Sequence, residues 1–205
     1  LKANTSLTEL ILADNWFGDD GAKAIAEVLA VNVTLKNLNL DNTSFDEDGA
    51  VALATALASN RTLEKLSLED DFYMMETGAK AFAKALTINR CLKELNLEGC
   101  FLGDEGAIAL ASCLKENRTL SILNLNRNLV QAAGAKAIAD YLAQNETLTQ
   151  LSLINDFSGE DEIGMYCEGA IAIADALKSN RTLKKLYLSD NGIESDGLKA
   201  ITDAL

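Results

Sequence analysis

Asn60-Arg61-Thr62-Leu63-Glu64-Lys65-Leu66-Ser67-Leu68 decides the architecture, because the chain returns to this frame again and again. With small departures, N-x-T-L-x-x-L-x-L opens near Asn4, Asn32, Asn60, Asn89, Asn117, Asn145 and Asn180. Its leading leucines are Leu7, Leu35, Leu63, Leu92, Leu120, Leu148 and Leu183, spaced by 28, 28, 29, 28, 28 and 35 residues. Each frame is followed by a short turn, a glycine and an Ala-rich amphipathic run. A fixed period of this length means a solenoid made by stacking one strand–helix unit on the next.

The first unit shows how the sequence builds it. Leu7, Leu10 and Leu12 point inward, while Glu9 and Ile11 alternate with the last two, as strand side chains must. Gly18-Asp19-Asp20-Gly21 makes the turn, and its acidic residues suit a helix N-terminus, where they cap free amides and complement the dipole. Ala22, Ile25, Ala26 and Leu29 then recur at helical spacing and face the strand. Asn32 is expected to stop the helix in the left-handed conformation that asparagine tolerates. Six of the opening asparagines (Asn4, Asn32, Asn60, Asn117, Asn145, Asn180) also spell N-x-[ST], which reads here as a recurring structural position rather than a set of glycan acceptors.

With 205 residues, 48% hydrophobic, no proline and no stretch that looks like a linker, residues 1–205 read as one elongated domain. Both ends read as cuts through a longer array: Leu1-Lys2-Ala3-Asn4 resembles the tail of a preceding unit, and Ala204-Leu205 closes a helix. The net charge of −13 with no histidine argues against nucleic acid and anionic membranes, and favours a basic partner where charge steers binding. Cys91, Cys100, Cys113 and Cys167 lack C-x-x-C spacing, so thiols in a reducing, cytoplasmic setting are expected. There is neither a signal peptide nor an apolar run long enough for a bilayer. Oligomeric state is not set by these features.

The frames Leu7–Asn15 with Gly18–Leu29, and Leu92–Cys100 with Gly103–Leu114, resemble the ribonuclease-inhibitor type of leucine-rich repeat across essentially the whole chain. That resemblance implies an α/β horseshoe with parallel strands on the concave face and helices on the convex face. Members of similar type include ribonuclease inhibitor, Ran GTPase-activating protein, the C-terminal part of tropomodulin and the sensor end of NOD-like receptors, and most bind proteins. The ninth position of the family's frame, usually Asn or Cys, reads Asn15, Thr43, Asp71, Cys100, Asn128, Asp156 and Asn191 here. Asp71 and Asp156, three repeats apart, are each followed by Phe and by a lengthened loop: one extra residue around Tyr73-Met74-Met75, and seven within Ser158 to Glu168.

Two surfaces stand out. Next to the ninth position, the strand-to-helix rim reads Trp16, Ser44, Phe72, Phe101, Leu129, Phe157 and Gly192. The position after it, Phe17, Phe45, Tyr73, Leu102, Val130 and Ile193, already supplies an inward-facing residue. A second apolar file of Trp16, Phe72, Phe101, Leu129 and Phe157 is therefore surplus to the core and a candidate partner-binding rim. The concave face is the other candidate. Glu69, Asp70, Glu94 and Glu98 form its most acidic spot, with Arg127 its arginine and Tyr187 an aromatic near one end.

The sequence offers no chemistry. Without histidine there is no Ser-His or Cys-His pair and no histidine metal ligand. No phosphate loop is present, and Ser158-Gly159-Glu160-Asp161-Glu162 lacks the D-x-D-x-D-G calcium pattern. No catalytic residue, metal or cofactor is expected. The reading is a protein-binding scaffold that uses the aromatic rim and the acidic concave face to hold a basic or amphipathic protein. The alternatives are a regulator of a GTPase or other enzyme, in which Arg127 would serve as an inserted finger, or a structural or sensor segment of a larger assembly.

Overall fold

The computed structural model describes residues 3–155 and 164–205, apart from the side chain of Cys113. Phe157, Asp156 and the Ser158–Glu162 stretch lie outside the described residues. The order is β1 (Glu9–Ile11), α1 (Gly18–Leu29), β2 (Asn37–Asn39), α2 (Glu47–Ser59), β3 (Lys65–Ser67), α3 (Met75–Ile88), β4 (Glu94–Asn96), α4 (Gly103–Leu114), β5 (Ile122–Asn124), α5 (Ala132–Leu142), β6 (Gln150–Ser152), α6 (Tyr166–Ser179), β7 (Lys185–Tyr187) and α7 (Ser195–Ala204). The strands form one parallel sheet of seven in chain order. Each pair is in register on the repeat frame, so Leu38 faces Leu66 and Leu66 faces Leu95. Among the described residues, each helix packs beside its neighbours in the array, from α1 on α2 through α6 on α7. The fold is the expected α/β leucine-rich-repeat solenoid.

The core lies between these layers. Leu38, Leu40, Leu66, Leu68, Leu95 and Leu97 from the strand side meet Ala22, Ala26, Leu29, Leu53, Leu57, Phe82 and Leu86 from the helices. A buried leucine contributes roughly 1.5–3 kcal/mol. Small residues let adjacent helices approach: a Cβ on Gly49 would sit 2.8 Å from the Phe45 Cβ and 2.9 Å from the Ala22 Cβ.

Asn32, expected to be left-handed, is not among the residues with positive φ, and its counterparts show how the opening asparagines act instead. Asn60, at the end of α2, is extended (φ −66°, ψ 141°), not left-handed. Its Oδ1 accepts from the amides of Thr62 and Leu63, and its Nδ2 donates back to the carbonyls of Leu29 and Asn32. One side chain thus turns its own loop and ties it to the preceding repeat. Asn89, Asn117 and Asn180 do the same. Asn145 breaks the file, because its Nδ2 donates to the hydroxyl of buried Tyr141 instead. Asn32, Asn60, Asn117, Asn145 and Asn180 are all buried. That places their amides out of reach of a glycan in the folded protein.

Capping also crosses repeats. The N-cap residues described, Phe17, Asp46, Met74, Gln131, Met165 and Glu194, make no side-chain cap bond. Instead, Asp19 of α1 accepts the amides of Asp46 and Gly49 at the start of α2, at 2.8 and 2.9 Å. Asp104 of α4 likewise accepts those of Gln131 and Gly134 at the start of α5, both at 2.8 Å. The acidic residues do cap amides, but those of the following helix.

Candidate functional site

On the strand-to-helix side, the extra residue of the third repeat changes which side chain goes inward. The sequence pattern assigns Tyr73 to the core, yet Tyr73 is 60% exposed and Met74 is fully buried. The insertion advances the inward position by one and turns Met75, the first residue of α3, into the left-handed region at φ 47°. Met165 and Tyr166 repeat this arrangement before α6, with Met165 buried and Tyr166 at φ 50°. Tyr73 and Met75 are therefore pushed to the surface beside Phe72 and Phe101.

Phe72, Tyr73, Met75 and Phe101 line an apolar groove of about 450 Å³. The Phe72 and Phe101 rings lie 5.5 Å apart and tilted by 60°, a favourable aromatic geometry. Phe101 holds φ at 52°. A bulky side chain there costs about 1–2 kcal/mol, while glycine is free of that cost. Glycine does hold the equivalent place in the last repeat, as Gly192 at φ 60°. At φ 60°, Leu129 has the same strained backbone but is only half-buried. Trp16 is the most exposed of the rim aromatics at 76%, but it does not line the groove. Exposed Ser44 stands at the rim position between the repeats of Trp16 and Phe72. The structure thus gathers Phe72 and Phe101 with two residues the sequence did not nominate, Tyr73 and Met75. The one-residue insertion was the signal that could have found them.

Beneath the rim, Asp71 takes the ninth position with 1% exposure. Its Oδ1 accepts the amides of Thr43 and Ser44, at 3.0 and 2.8 Å, while its Oδ2 is buried without a partner. Burial pushes its pKa up to about 7 despite those donors. Asn128 shows the complete version: Oδ1 accepts from Cys100 and Leu102, and Nδ2 donates to the Leu97 carbonyl. In the sixth repeat Asn155 is buried, while the ninth position, Asp156, lies outside the described residues. Asn155 donates to the Val130 carbonyl and to Asn191 Oδ1. Asn155 also lacks the left-handed backbone found at the matching Asp14, Asn42, Asp70, Gly99, Arg127 and Asp190.

On the strand face, the acidic residues are wired to one another. Arg127 Nη1 lies 3.0 Å from Asp70 Oδ1 and 4.0 Å from Glu98 Oε1. The bridge to Asp70 spans two repeats because Gly99 stands between; a Cβ there would sit 2.2 Å from Asp70 Oδ1. Glu98 Oε2 accepts from Asn124 and Asn126, and Glu69 Oε2 from Asn96. Burial raises the pKa of Glu69, and the carboxylates of Glu98, Asp41 and Asp70 add to the rise. Glu94 pairs with Lys65 at 2.9 Å. Tyr187 is 41% exposed and lies in register with Ser152 at the far strand. Arg127 is thus held by carboxylates of its own chain. Among the described residues, no group of three or more Cys, Asp or Glu is arranged to hold a metal ion, and no helix is long and apolar enough to cross a membrane.

The opposite rim is basic. Lys36, Arg61, Arg90 and Lys93 line a groove of about 630 Å³. Arg61 and Arg90 donate to carbonyls at the ends of α2 and α3. Lys93 and Lys36 both bond Glu64, holding its carboxyl down at about 2.

Comparison with known proteins bears on this geometry. A family profile described as Leucine Rich repeat matches residues 3–26, 89–111, 116–139 and 179–201. Curated protein sequences give no match. Among solved structures, the chain is similar to leiomodin-1 Actin-Binding Site 2, with a TM-score of 0.60 and 26% identity, covering 78% of this chain and 87% of that one. It is also similar in fold to the tropomodulin C-terminal domain of Caenorhabditis elegans, with a TM-score of 0.61 and 18% identity, covering 78% and 92%. Four profile matches, a seven-stranded parallel sheet in repeat register and these structural likenesses make the chain a leucine-rich-repeat protein.

Proposed function

We propose that the protein is a non-enzymatic, cytoplasmic scaffold of the ribonuclease-inhibitor-like type that binds a basic or amphipathic protein. Its contacts would be the rim (Trp16, Phe72, Phe101, Leu129, Phe157) and the acidic strand face (Glu69, Asp70, Glu94, Glu98, Arg127, Tyr187). One observation carries this reading: the Phe72–Phe101 pair, two rings kept at the surface although Phe101 bears a strained backbone. Strain that persists outside the core points to use. Cys91, Cys100 and Cys167 are free thiols, which suits a reducing compartment. The likeness to an actin-binding site of leiomodin-1 supports actin as the first partner to try.

The test compares wild type with Trp16→Ser/Phe72→Ser/Phe101→Ser, after circular dichroism has established that both are folded. Affinity capture and actin co-sedimentation are run side by side. A protein retained by wild type and lost by the variant supports the rim. Equal retention by both sinks it, and a strand-face variant, Glu69→Gln/Glu98→Gln, then tests the other surface.

A further inference from the structure

The apolar groove continues into a second, differently charged space. Tyr73 and Met75 also form one wall of a bay of about 400 Å³ whose other walls are Asp19, Asp46, Glu47 and Asp48. The described cation beside it is Lys23, 3.3 Å from Asp48, and both side chains are exposed. Each of the N-termini of α1 and α2 adds roughly half a positive charge. Four carboxylates against Lys23 and these two helix ends, with the α3 N-terminus at Met75 adding another half charge, leave the bay at about −1.5 by that reckoning.

We infer that groove and bay together form one docking site for a basic amphipathic segment of a partner protein. An apolar side chain of that segment seats among Phe72, Tyr73, Met75 and Phe101. Its Lys and Arg side chains lie over Asp19, Asp46, Glu47 and Asp48. The inference rests on the rim reading above and adds the partner's chemistry and its path. The charge that touches the apolar groove belongs to the helix N-termini, so the segment crosses the rim toward the helices instead of descending onto the strand face. The strand-face carboxylates are already engaged by Arg127, Lys65, Asn96, Asn124 and Asn126. Packed helices stand about 8–10 Å apart. Bay and groove share Tyr73 and Met75 and together run from α1 to α4, three helix spacings, so a segment that fills both crosses roughly 24–30 Å, about five turns of an α-helix.

The test is fluorescence anisotropy with a short labelled amphipathic helix of leucine and lysine, and with its leucine–glutamate counterpart. Four proteins are compared: wild type, the groove variant Phe72→Ser/Phe101→Ser, the bay variant Asp46→Asn/Glu47→Gln/Asp48→Asn, and the strand-face variant Glu69→Gln/Glu98→Gln. Asp19 is left intact because it caps α2. Tyr73→Ala, at a site 60% exposed, replaces the groove variant if that variant does not fold. Wild type and the strand-face variant are expected to bind the lysine peptide alike. The groove and bay variants should each lose about tenfold, and the bay variant should lose most of its salt dependence. Loss in the groove variant with none in the bay variant overturns the inference and leaves the rim reading standing. No loss in the groove variant overturns both. Loss confined to the strand-face variant, or equal binding of the glutamate peptide, also overturns the inference.

Discussion

Replacing Asp71 with Asn should make the protein more stable at neutral pH, and the size of the gain follows from the site. The Asp71 carboxyl is buried, accepts two amides at Oδ1 and has no partner at Oδ2. Burial moves it from 3.8 to about 7. A carboxyl whose folded pKa is raised binds its proton more tightly when folded, so its contribution is fully favourable below pH 3.8 and is lost as pH rises through about 7. About three pK units at 1.36 kcal/mol each give a penalty of about 4 kcal/mol at pH 8, of which about 2.5 kcal/mol accrues between pH 5 and 8. Asparagine keeps the acceptor for Thr43 and Ser44 without the charge. By the Asn128 precedent, its amide would turn toward the Leu40 carbonyl, where Thr43 Oγ1 already donates at 2.9 Å. Urea unfolding followed by circular dichroism at pH 5 and pH 8 is the assay. With a slope of about 2 kcal/mol per molar urea, the Asp71→Asn midpoint at pH 8 should rise by up to about 2 M. The wild-type midpoint should fall between pH 5 and 8 by about 1 M more than the variant's. A variant less stable than wild type at pH 8, or one with an unchanged pH slope, would refute the reasoning.

Other outcomes are expected with it. Phe101→Gly relieves about 1–2 kcal/mol of backbone strain and loses about 0.5–1.5 kcal/mol of ring pairing, so its melting temperature should stay within a few degrees of wild type. Phe82→Ala, in the buried core, should cost about 3–5 kcal/mol in the same melt. Gly99→Ala places a Cβ 2.2 Å from Asp70 Oδ1 on a φ of +68°, so it should destabilise by about 1–3 kcal/mol and release Arg127 from Asp70. An Asp70→Ala background should remove the part of that cost due to the clash and leave about 1–2 kcal/mol from the backbone. Asp19→Ala should weaken α2 rather than its own helix, by about 1 kcal/mol, with faster amide exchange at Asp46 and Gly49. Faster exchange confined to α1 would contradict capping across repeats.

What the sequence disclosed and what it hid divide along a physical line. Alternation and helical spacing report on local backbone, so Leu38, Leu66 and Leu95 could be placed in strands, and Ala22, Ala26 and Leu29 on a helix face. The side-chain bonds between repeats left no local trace. Asp19 looked like a cap for α1, and only stacking shows that its acceptor faces α2. Asn32 looked like a left-handed stop, and the donor that its counterpart Asn60 sends to Leu29 cannot be inferred from the residues beside it. The insertion in the third repeat misled for a related reason. A single added residue shifted the inward role from Tyr73 to Met74. Of the candidate site, Phe72 and Phe101 were legible as excess apolar residues, whereas Tyr73 had been counted as core.

The direction of capping sets how the array can be shortened. Gly18-Asp19 and Gly103-Asp104 each serve the helix that follows, and those recipients, α2 and α5, share an extended N-cap backbone. Donor and recipient therefore recur with a step of three repeats. Excising the second repeat would set an unsuited helix start beside Asp19, and excising the fourth would take Asp104 from Gln131, whereas excising the third leaves both pairs intact. Excising the three repeats from Asn32 through Glu116 would bring Asp19 against Gln131 and Gly134, a pairing of the kind the chain already uses. Cross-repeat capping thus decides which cuts the array tolerates, and a version shortened by those three repeats should fold with its remaining cap formed by Asp19.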